Sequence, residues 1–486
     1  MQQFTSEDLA LEFARVLDDV LAHASGPEDP EHVPDSRKPA MAVAFSGGLD
    51  STVLLHLAKA YAAGNSIPLF AFHVHHGLNV KADEWSGHCR NWCEEQGIGF
   101  DLRHVTVRVQ AKEGPAAVAR RARYDALLEM ADRHGAQWLL LAHHEDDQAE
   151  TVLMRLLRGA GVAGLSGMEV VRNIPQTGVK LLRPLLGVSR QTLENWAKDH
   201  ALVHVVDDSN TDPKYARNAF RHGVVPHLSE FSPGFAGRIH RSALHMQSAG
   251  RLLDDLAKMD LEFCQEEDAL NLAKMASLGP DRFDNLFRFW MGKNGLLMPS
   301  ATWLKSARYQ LLHAKEDAQP ALDIQGALIR RYRNHLFFER ADEKKQAENG
   351  SSDGVIALVW QGEATIPVPE FGGRFIFASG TDGIDALWLQ KQQLRVAAYR
   401  GQSRIRVSSR RPGKTLKALY QELGVPAWER RRLPLLFAGD ILLFAAGIGP
   451  AADHVDQGIQ RIRIGWEFDE NSDLTVAAQP NQLRQT

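Results

Sequence analysis

Six consecutive residues, Ser46-Gly47-Gly48-Leu49-Asp50-Ser51, have the makings of a phosphate-binding turn. Two glycines let the backbone approach an anion closely, and a helix opening just after them turns its free N–H groups toward it. The hydroxyls of Ser46 and Ser51 add donors, and Asp50 is suited to hold Mg²⁺ on a phosphate. No lysine follows the glycines, so this is not a G-x-x-x-x-G-K-[ST] loop. A bare Ser-Gly-Gly would be a plain strand-to-helix turn. The full six residues, set between the apolar run MAVAF and the helical pattern STVLLHLAKAY, favour a nucleotide.

A second block, Ala142-His143-His144-Glu145-Asp146-Asp147-Gln148-Ala149-Glu150-Thr151, follows the apolar run at Trp138. On a helix, Asp147 and Glu150 share a face, as do His143 and Asp147. Neighbouring carboxylates can bind a metal, hold an ammonium group or accept its proton. A helix start carries Asp and Glu for dipole reasons alone, so the block taken singly divides evenly between the two readings. Without a cysteine nearby it is no structural zinc site. Weaker pieces are HVHHGL from His73, ARRARY from Ala119 (with Arg123), a flexible Gly-rich loop RGAGVAGL from Arg158, DDSN from Asp207, and RNAFR from Arg217 to Arg221.

The elements that would position these blocks alternate. Short apolar runs at Met41–Phe45, Ile67–Val74, Phe100–Val107 and Trp138–Ala142 are separated by helical patterns at roughly 50–62, 83–96 and 116–134, with another near 146–158. This βαβα order predicts an α/β fold with a parallel sheet covered by helices on both faces. Both blocks then fall beyond the carboxyl ends of strands, where open sheets bind ligands. The pattern predicts residues 1–228 as an α/β domain, 229–385 as a mainly helical middle domain and 386–486 as a small α+β domain.

A net charge of −4 over 486 residues does not suggest a nucleic-acid partner, but local charge does. From Lys391 to Arg432 twelve Lys/Arg stand against two Glu, and from Lys214 to Arg251 six stand against one. Such segments suit a polyanion held at chosen places. Arg217, Arg221, Arg404, Arg406, Arg410, Arg411, Lys414 and Lys417 are the candidates for phosphate contact. Tyr420 and Trp428 suit either base stacking or core packing. Three cysteines (Cys89, Cys93 and Cys264) argue against a disulfide framework and for a reducing compartment. The N-terminus lacks a signal-peptide pattern, and no run approaches the ~20 apolar residues of a membrane helix. The expectation is a cytoplasmic protein without membrane attachment.

The block SGGLDS in its strand-turn-helix setting resembles the PP-loop of the ATP pyrophosphatases, which cut ATP between its α and β phosphates. SGGLDS, HVHHGL, ARRARY, AHHEDDQAET, RGAGVAGLSGM, LLRPLL and DDSNTDPKYARNAFR, in that order over residues 40–228, resemble the catalytic half of the tRNA(Ile)-lysidine synthases. The stretch from Gly413 to Gly449 resembles the C-terminal domain of that family's long form.

The resemblance implies a ligase using ATP and Mg²⁺ that joins the ε-amine of L-lysine to the wobble cytidine of the CAU-anticodon isoleucine tRNA. The reaction would pass through an adenylated cytidine and release AMP and pyrophosphate. It implies that Ser46, Gly47, Gly48, Leu49, Asp50 and Ser51 hold the nucleotide, with Asp50 on the metal. Asp50 joins His143, Asp147, Glu150 and Arg123 as the catalytic group, the last four facing the base and the lysine. It leaves a homodimer open. The chain departs from the family at His75, where Asn or Asp is usual, and at Ala116, where Glu is usual.

Three other readings compete. A tRNA thiolase would need a reactive cysteine or a cluster, and Cys89 and Cys93 form no C-x-x-C. An amidotransferase would need a glutaminase nucleophile. A non-catalytic tRNA-binding protein would not need to keep both blocks intact.

Overall fold

The computed structural model describes residues 6–24, 40–77, 79–106, 115–175, 177–206, 216–315, 318, 320–340, 355–399, 403–408, 412–454 and 460–469. The chain divides into two compact units, Met1–Leu252 and Leu253–Thr486.

The first unit runs α1 (Ser6–Ala24), β1 (Ala40–Ala44), α2 (Leu49–Asn65), β2 (Leu69–His75), α3 (Ala82–Gln96), β3 (Gly99–His104), α4 (Pro115–Arg133), β4 (Ala136–Leu140), α5 (Glu145–Leu156), α6 (Val162–Leu165), β5 (Val171–Asn173), β6 (Lys180–Leu182), α7 (Arg190–Asp199), α8 (Ala216–Gly223) and α9 (Val225–Phe231). Helix α10 (Phe235–Cys264) begins in this unit. The sheet has the order β3-β2-β1-β4-β6-β5. All pairs are parallel except β5 with β6. The predicted α/β sheet covered on both faces is what forms.

Strand β1 shows why. Its alternate side chains point to opposite faces. Met41 and Val43 join a core with Leu54, Trp138, Leu140 and Leu193, while Ala40 and Ala42 join another with Leu127, Met130 and Leu139. A strand buried on both sides must read as a continuous apolar run, and AMAVA does. Strand order reverses about β1, between β2 on one side and β4 on the other. A crevice therefore opens beyond the carboxyl ends of β1 and β4. Both chemical blocks begin there.

The second unit holds more sheet than the expected mainly helical middle segment. After β7 (Gln265–Glu266) and β8 (Ala269–Asn271) come α11 (Leu272–Ser277), α12 (Pro280–Lys293), α13 (Ala301–His313), β9 (Ala321–Ile324), β10 (Ala327–Tyr332) and β11 (His335–Glu339). These strands form one sheet, β7-β8-β11-β10-β9, packed with the helices around Leu286, Phe287, Leu304 and Leu336.

There follow β12 (Ile356–Leu358), β13 (Thr365–Val368), β14 (Gly373–Gly380), β15 (Ile384–Asp385), α14 (Ala386–Gln390), β16 (Leu394–Ala398), β17 (Arg404–Ile405), β18 (Lys414–Thr415), α15 (Leu416–Glu422), α16 (Ala427–Arg430), β19 (Pro434–Ala438), β20 (Ile441–Ala445), β21 (Gly449–Pro450) and β22 (Arg461–Phe468). Strand β14 pairs along its length with β22, and β12 pairs with β16. Residues 356–380 thus share sheets with the C-terminal segment.

Glu429 on α16 is only 9 % exposed, and burial pushes its pKa up to about 7 against the pull of Arg432. A carboxyl whose folded pKa exceeds its unfolded value favours folding while protonated. That contribution is full below about pH 4.5 and is lost as pH rises through about 7. It amounts to on the order of 3 kcal/mol. Glu429→Gln should flatten the fall in melting temperature between pH 5 and pH 8, a window set by about these two values. Parallel melting curves for the two proteins would refute the assignment.

Candidate active site

The first block turns between β1 and α2. Gly47 has φ +81°, a left-handed conformation that glycine adopts without strain. A Cβ there would lie 2.8 Å from Cys89 Sγ and 3.5 Å from Val205 Cγ2. Two constraints, one of dihedral angle and one of space, therefore require glycine. The segment around Val205 pairs with the turn, its N–H donating to Gly47 O at 2.8 Å.

Within the turn, Ser46 Oγ lies 3.0 Å from Ser51 Oγ, and Ser51 Oγ donates to Gly48 O. Thr52, fully buried, donates to the same carbonyl. Gly48 caps α2 without a side-chain acceptor, which leaves the helix start to an outside anion. Asp50 Oδ1 is buried with no hydrogen-bond partner. Its Oδ2 lies 3.6 Å from Arg190 and 3.8 Å from His144 Nε2. Burial raises the Asp50 pKa although His144 and Arg190 oppose it.

The second block opens α5 at the end of β4. His144 is the N-cap, and its N–H donates to Asp147 Oδ2 at 3.2 Å. The two neighbouring histidines have opposite fates. Burial, reinforced by Arg183, Arg120 and Arg217 against the pull of Asp147, lowers the His143 pKa to about 3, so that ring is neutral. Burial also works against charge on His144. Asp146, Asp147 and Asp50 outweigh it and raise the His144 pKa. Asp147 likewise resists burial, because His144, Arg217 and Arg221 hold its carboxyl below the ordinary range.

The acid pair is engaged by α8. Arg217 donates to Asp147 Oδ1 at 3.0 Å and to Glu150 Oε2 at 2.8 Å. Arg221 donates to Asp147 Oδ1 at 2.9 Å and to both oxygens of Glu150. Glu150 is 2 % exposed, so the network is buried at its base. Charge-assisted pairs of this kind are among the stronger hydrogen bonds.

The Gly-rich loop after α5, expected to be flexible, is held on three sides. Arg155 donates to Gly164 O and Gly167 O, both at 2.9 Å. The buried amide of Gln148 donates to Met168 O and accepts from Met168 N–H. Gln247 on α10 donates to Ser166 O and Met168 O. Gly167 serves close approach: at its φ of +66°, a Cβ would collide with Gln148. Gln148→Ala removes both bonds and strands the half-buried Met168 N–H, which costs about 1–3 kcal/mol. Calorimetry should show a melting temperature several degrees lower, and an unchanged one would sink the clamp.

Comparison with known proteins now bears on this geometry. Residues 20–228 match the family model of the PP-loop domain. Residues 270–337 match the TilS substrate binding domain and 394–466 the TilS substrate C-terminal domain. A tRNA(Ile)-lysidine synthase of Ralstonia nicotianae is 42% identical over 428 residues, covering 86% of this chain and 91% of the relative. The chain belongs to the tRNA(Ile)-lysidine synthase family. Relatives of the same name from Nitrosomonas europaea and Shigella flexneri are 34% and 35% identical, over 92% and 87% of this chain and 93% and 95% of theirs. Members of this family are ligases that form a carbon–nitrogen bond, and the chain carries their ATP-binding PP-loop domain.

The residues expected at a lysidine synthase site are brought together in part. Asp50, His143, Asp147 and Glu150 converge. Arg123 lies elsewhere in the cleft, near His76, whose pKa burial and the Arg123 charge lower to about 4. The α4 cation close enough to influence His143 is Arg120. His144 and Arg190, which reach Asp50, carry no periodicity or spacing that singles them out.

Of the phosphate-contact candidates, Arg217 and Arg221 pair with the acid pair. Arg406 pairs with Asp453 at 2.9 Å, Lys414 with Glu422 at 2.7 Å, and Arg404 donates to Gly413 O. Arg410, Arg411 and the DDSN block lie outside the described residues. Tyr420 belongs to the core, its hydroxyl donating to Ala446 O. Trp428 packs edge-on to Tyr332 and Phe337 beneath Arg330. Burial pushes the Cys89 and Cys93 thiols up to about 12, so neither is a thiolate. No helix among the described residues is long and apolar enough to cross a membrane.

Proposed function

We propose that this chain ligates L-lysine to the wobble cytidine of the CAU-anticodon isoleucine tRNA, in the cytoplasm, through an adenylated cytidine. The observation that carries the reading is the meeting, beyond β1 and β4, of an anion-ready turn and a buried acid pair in a chain of the lysidine synthase family.

Ser46, Gly47, Gly48, Leu49 and Ser51 hold the triphosphate through backbone N–H groups and hydroxyls. Asp50 fits Mg²⁺, since its orphaned Oδ1 lacks any other partner and Mg²⁺ uses one or two carboxylates beside phosphate oxygens. Bound there, the ion neutralises charge on the departing pyrophosphate. The cytosine carbonyl oxygen attacks the α-phosphorus and pyrophosphate leaves. Neutral His143 positions the base by a hydrogen bond, and Arg123 borders the nucleotide beside His76. The lysine ε-amine then attacks the activated carbon and AMP departs with the oxygen.

Free lysine has an ε-pKa near ~10.4, so it must shed a proton first. Asp147, ionised at neutral pH, and Glu150 bind the ammonium and take that proton.

The decisive test combines the purified chain with ATP, Mg²⁺, labelled lysine and the unmodified isoleucine tRNA transcript, with the CAU-anticodon methionine tRNA as control. ATP-dependent label in the isoleucine tRNA alone is expected. AMP and pyrophosphate without label would move the nucleophile or acceptor elsewhere.

The segments 1–228, 229–385 and 386–486 serve in this reading as catalytic part, tRNA-contacting middle and tRNA-binding end. Arg404, Arg406, Lys414 and Lys417 are exposed and lie within the C-terminal basic segment. Replacing all four with Ala should weaken tRNA binding at least tenfold and reduce the salt slope by about one for each phosphate no longer neutralised. Unchanged affinity with an unchanged slope, measured by titration at several salt concentrations, would remove these residues from the interface.

A further inference from the structure

Behind the PP-loop turn, on the face of the sheet that carries α2, α3 and α7, lies a cavity of about 500 Å³. The ligation chemistry makes no use of it. Its walls come from His56 on α2, from Trp92, Glu95 and Gln96 on α3, and from the segment after α7. Glu95 and Gln96 close α3, while His200 and Ala201 follow the last residue of α7. Two helices, of 15 and 10 residues, therefore bring their carboxyl ends to one cavity. Each end carries about half a negative charge on its unpaired carbonyls.

Side-chain charge has the same sign. Among the described residues no lysine or arginine lines the cavity, while Glu95 does. The last turn of α3 holds no basic residue, and Lys198 in the last turn of α7 does not line the space. Burial, with His200 and Lys59, lowers the His56 pKa, so that ring adds no positive charge. His56 Nδ1 and His88 Nε2, both in the wall, are buried without hydrogen-bond partners. Lys59 already answers this field from α2, donating to Gln96 Oε1 at 2.8 Å.

We propose that the cavity binds an aliphatic polyamine, with one ammonium group at each helix end. An anion would meet the two helix ends and Glu95 with no cation in the wall to receive it. A metal ion needs a tight ligand set, and among the described residues no three His, Cys, Asp or Glu side chains form one. An alkylammonium ion needs acceptors and is attracted to aromatic faces. Glu95 and the helix ends supply the first; Trp92 and His200, whose ring stacks on Trp196 at 3.9 Å, supply the second. The volume is of the order that small organic ligands occupy. Free lysine does not suit the space, because its carboxylate finds no counter-ion there.

The cavity also shares two walls with the turn. His88 Cδ2 lies 3.7 Å from the point where a Cβ would stand on Gly47. Leu202 and Val203 lead into Val205, whose N–H donates to Gly47 O at 2.8 Å. A ligand that bridges α3 and this segment steadies both supports of the turn. Polyamine and ATP should then bind with positive coupling, each raising the other's affinity by the same factor. The coupling rests on the turn holding ATP; the polyamine site does not.

The test titrates spermidine by calorimetry into the full-length protein without tRNA, alone and with Mg²⁺ and a non-hydrolysable ATP analogue. The dissociation constant should be about 1 mM or lower, and the analogue should tighten it about fivefold or more. L-lysine at the same concentration should not displace spermidine. Glu95 is exposed and stands apart from the catalytic group, so it can be changed without touching the chemistry. Glu95→Gln should weaken spermidine about fivefold, and Glu95→Lys, which places a cation in the wall, should abolish binding. Should Glu95→Lys fail to fold, Glu95→Gln decides. Without spermidine both variants should keep the wild-type rate of ATP–pyrophosphate exchange.

No binding by the wild type, or equal binding by the Glu95 variants, would overturn the proposal. Displacement by L-lysine would do the same, and displacement by Zn²⁺ would make the cavity a metal site instead. Equal spermidine affinity with and without the analogue would overturn the coupling. A chain that bound spermidine yet exchanged no pyrophosphate would defeat the reading of the turn and leave the polyamine site standing.

Discussion

Asp147→Asn is expected to lower lysine transfer by about 10²–10⁴-fold while leaving pyrophosphate release within about tenfold of wild type. The carboxylate is held by three groups: its Oδ2 accepts from His144 N–H, and its Oδ1 receives Arg217 and Arg221. An amide can keep the first bond but cannot serve as a base. It also presents an NH₂ group or a weaker oxygen to the two guanidinium groups. The residues that hold the triphosphate are untouched, so the two half-reactions should separate. Single-turnover transfer from pre-adenylated tRNA, followed beside pyrophosphate release, measures both. Normal turnover at saturating lysine would remove Asp147 from proton transfer.

Gly47→Ala should have an effect of similar size on the other half-reaction. The left-handed φ of +81° costs an L-residue roughly 1–2 kcal/mol. The added Cβ also meets Cys89 Sγ at 2.8 Å, a buried atom on a packed helix that cannot swing aside. The turn must shift, and its N–H groups shift with it. Displacements of about 1 Å at such sites cost about 10²-fold in rate. Pyrophosphate release should fall by at least that factor.

Cys89→Ala combined with Gly47→Ala removes the collision and leaves the dihedral strain. The pair should regain part of the lost melting temperature and little of the activity. Full activity in the single variant would show that the turn does not hold the phosphates.

Much of this site could be read from the chain because its parts are local. The turn at Ser46–Ser51 and the block at His143–Glu150 each sit between an apolar strand and a helix that adjoin them in sequence. Parallel order then brings the two together without any long-range pairing having to be guessed. The pairing of α8 with α5 is of another kind. Arg217 and Glu150 are 67 residues apart, and an arginine in RNAFR looks the same whether it faces solvent or a carboxylate.

The opposite pKa shifts of His143 and His144 were hidden for a related reason. They depend on which neighbours each ring meets after folding, and two adjacent histidines carry no such record. In the C-terminal segment the net count of basic residues overstated free charge, because Asp453, outside the counted stretch, neutralises Arg406. The sheets that join residues 356–380 to residues after 394 rest on short strands far apart in sequence, which periodicity cannot pair.

The double grip of Arg217 and Arg221 on Asp147 and Glu150 makes the site an ion exchanger. Two carboxylates and two guanidinium groups already sum to zero, in a place where Glu150 is almost wholly out of water. A third cation cannot simply be added, since it would leave an uncompensated charge in low dielectric. Any ammonium ion that docks there must therefore release a guanidinium group. Its apparent affinity is its intrinsic affinity reduced by the fraction of molecules in which α8 has let go. A polyanion that gives the freed arginine a new counter-ion shifts that fraction upward, so amine and nucleic acid would bind with positive cooperativity although they need not touch.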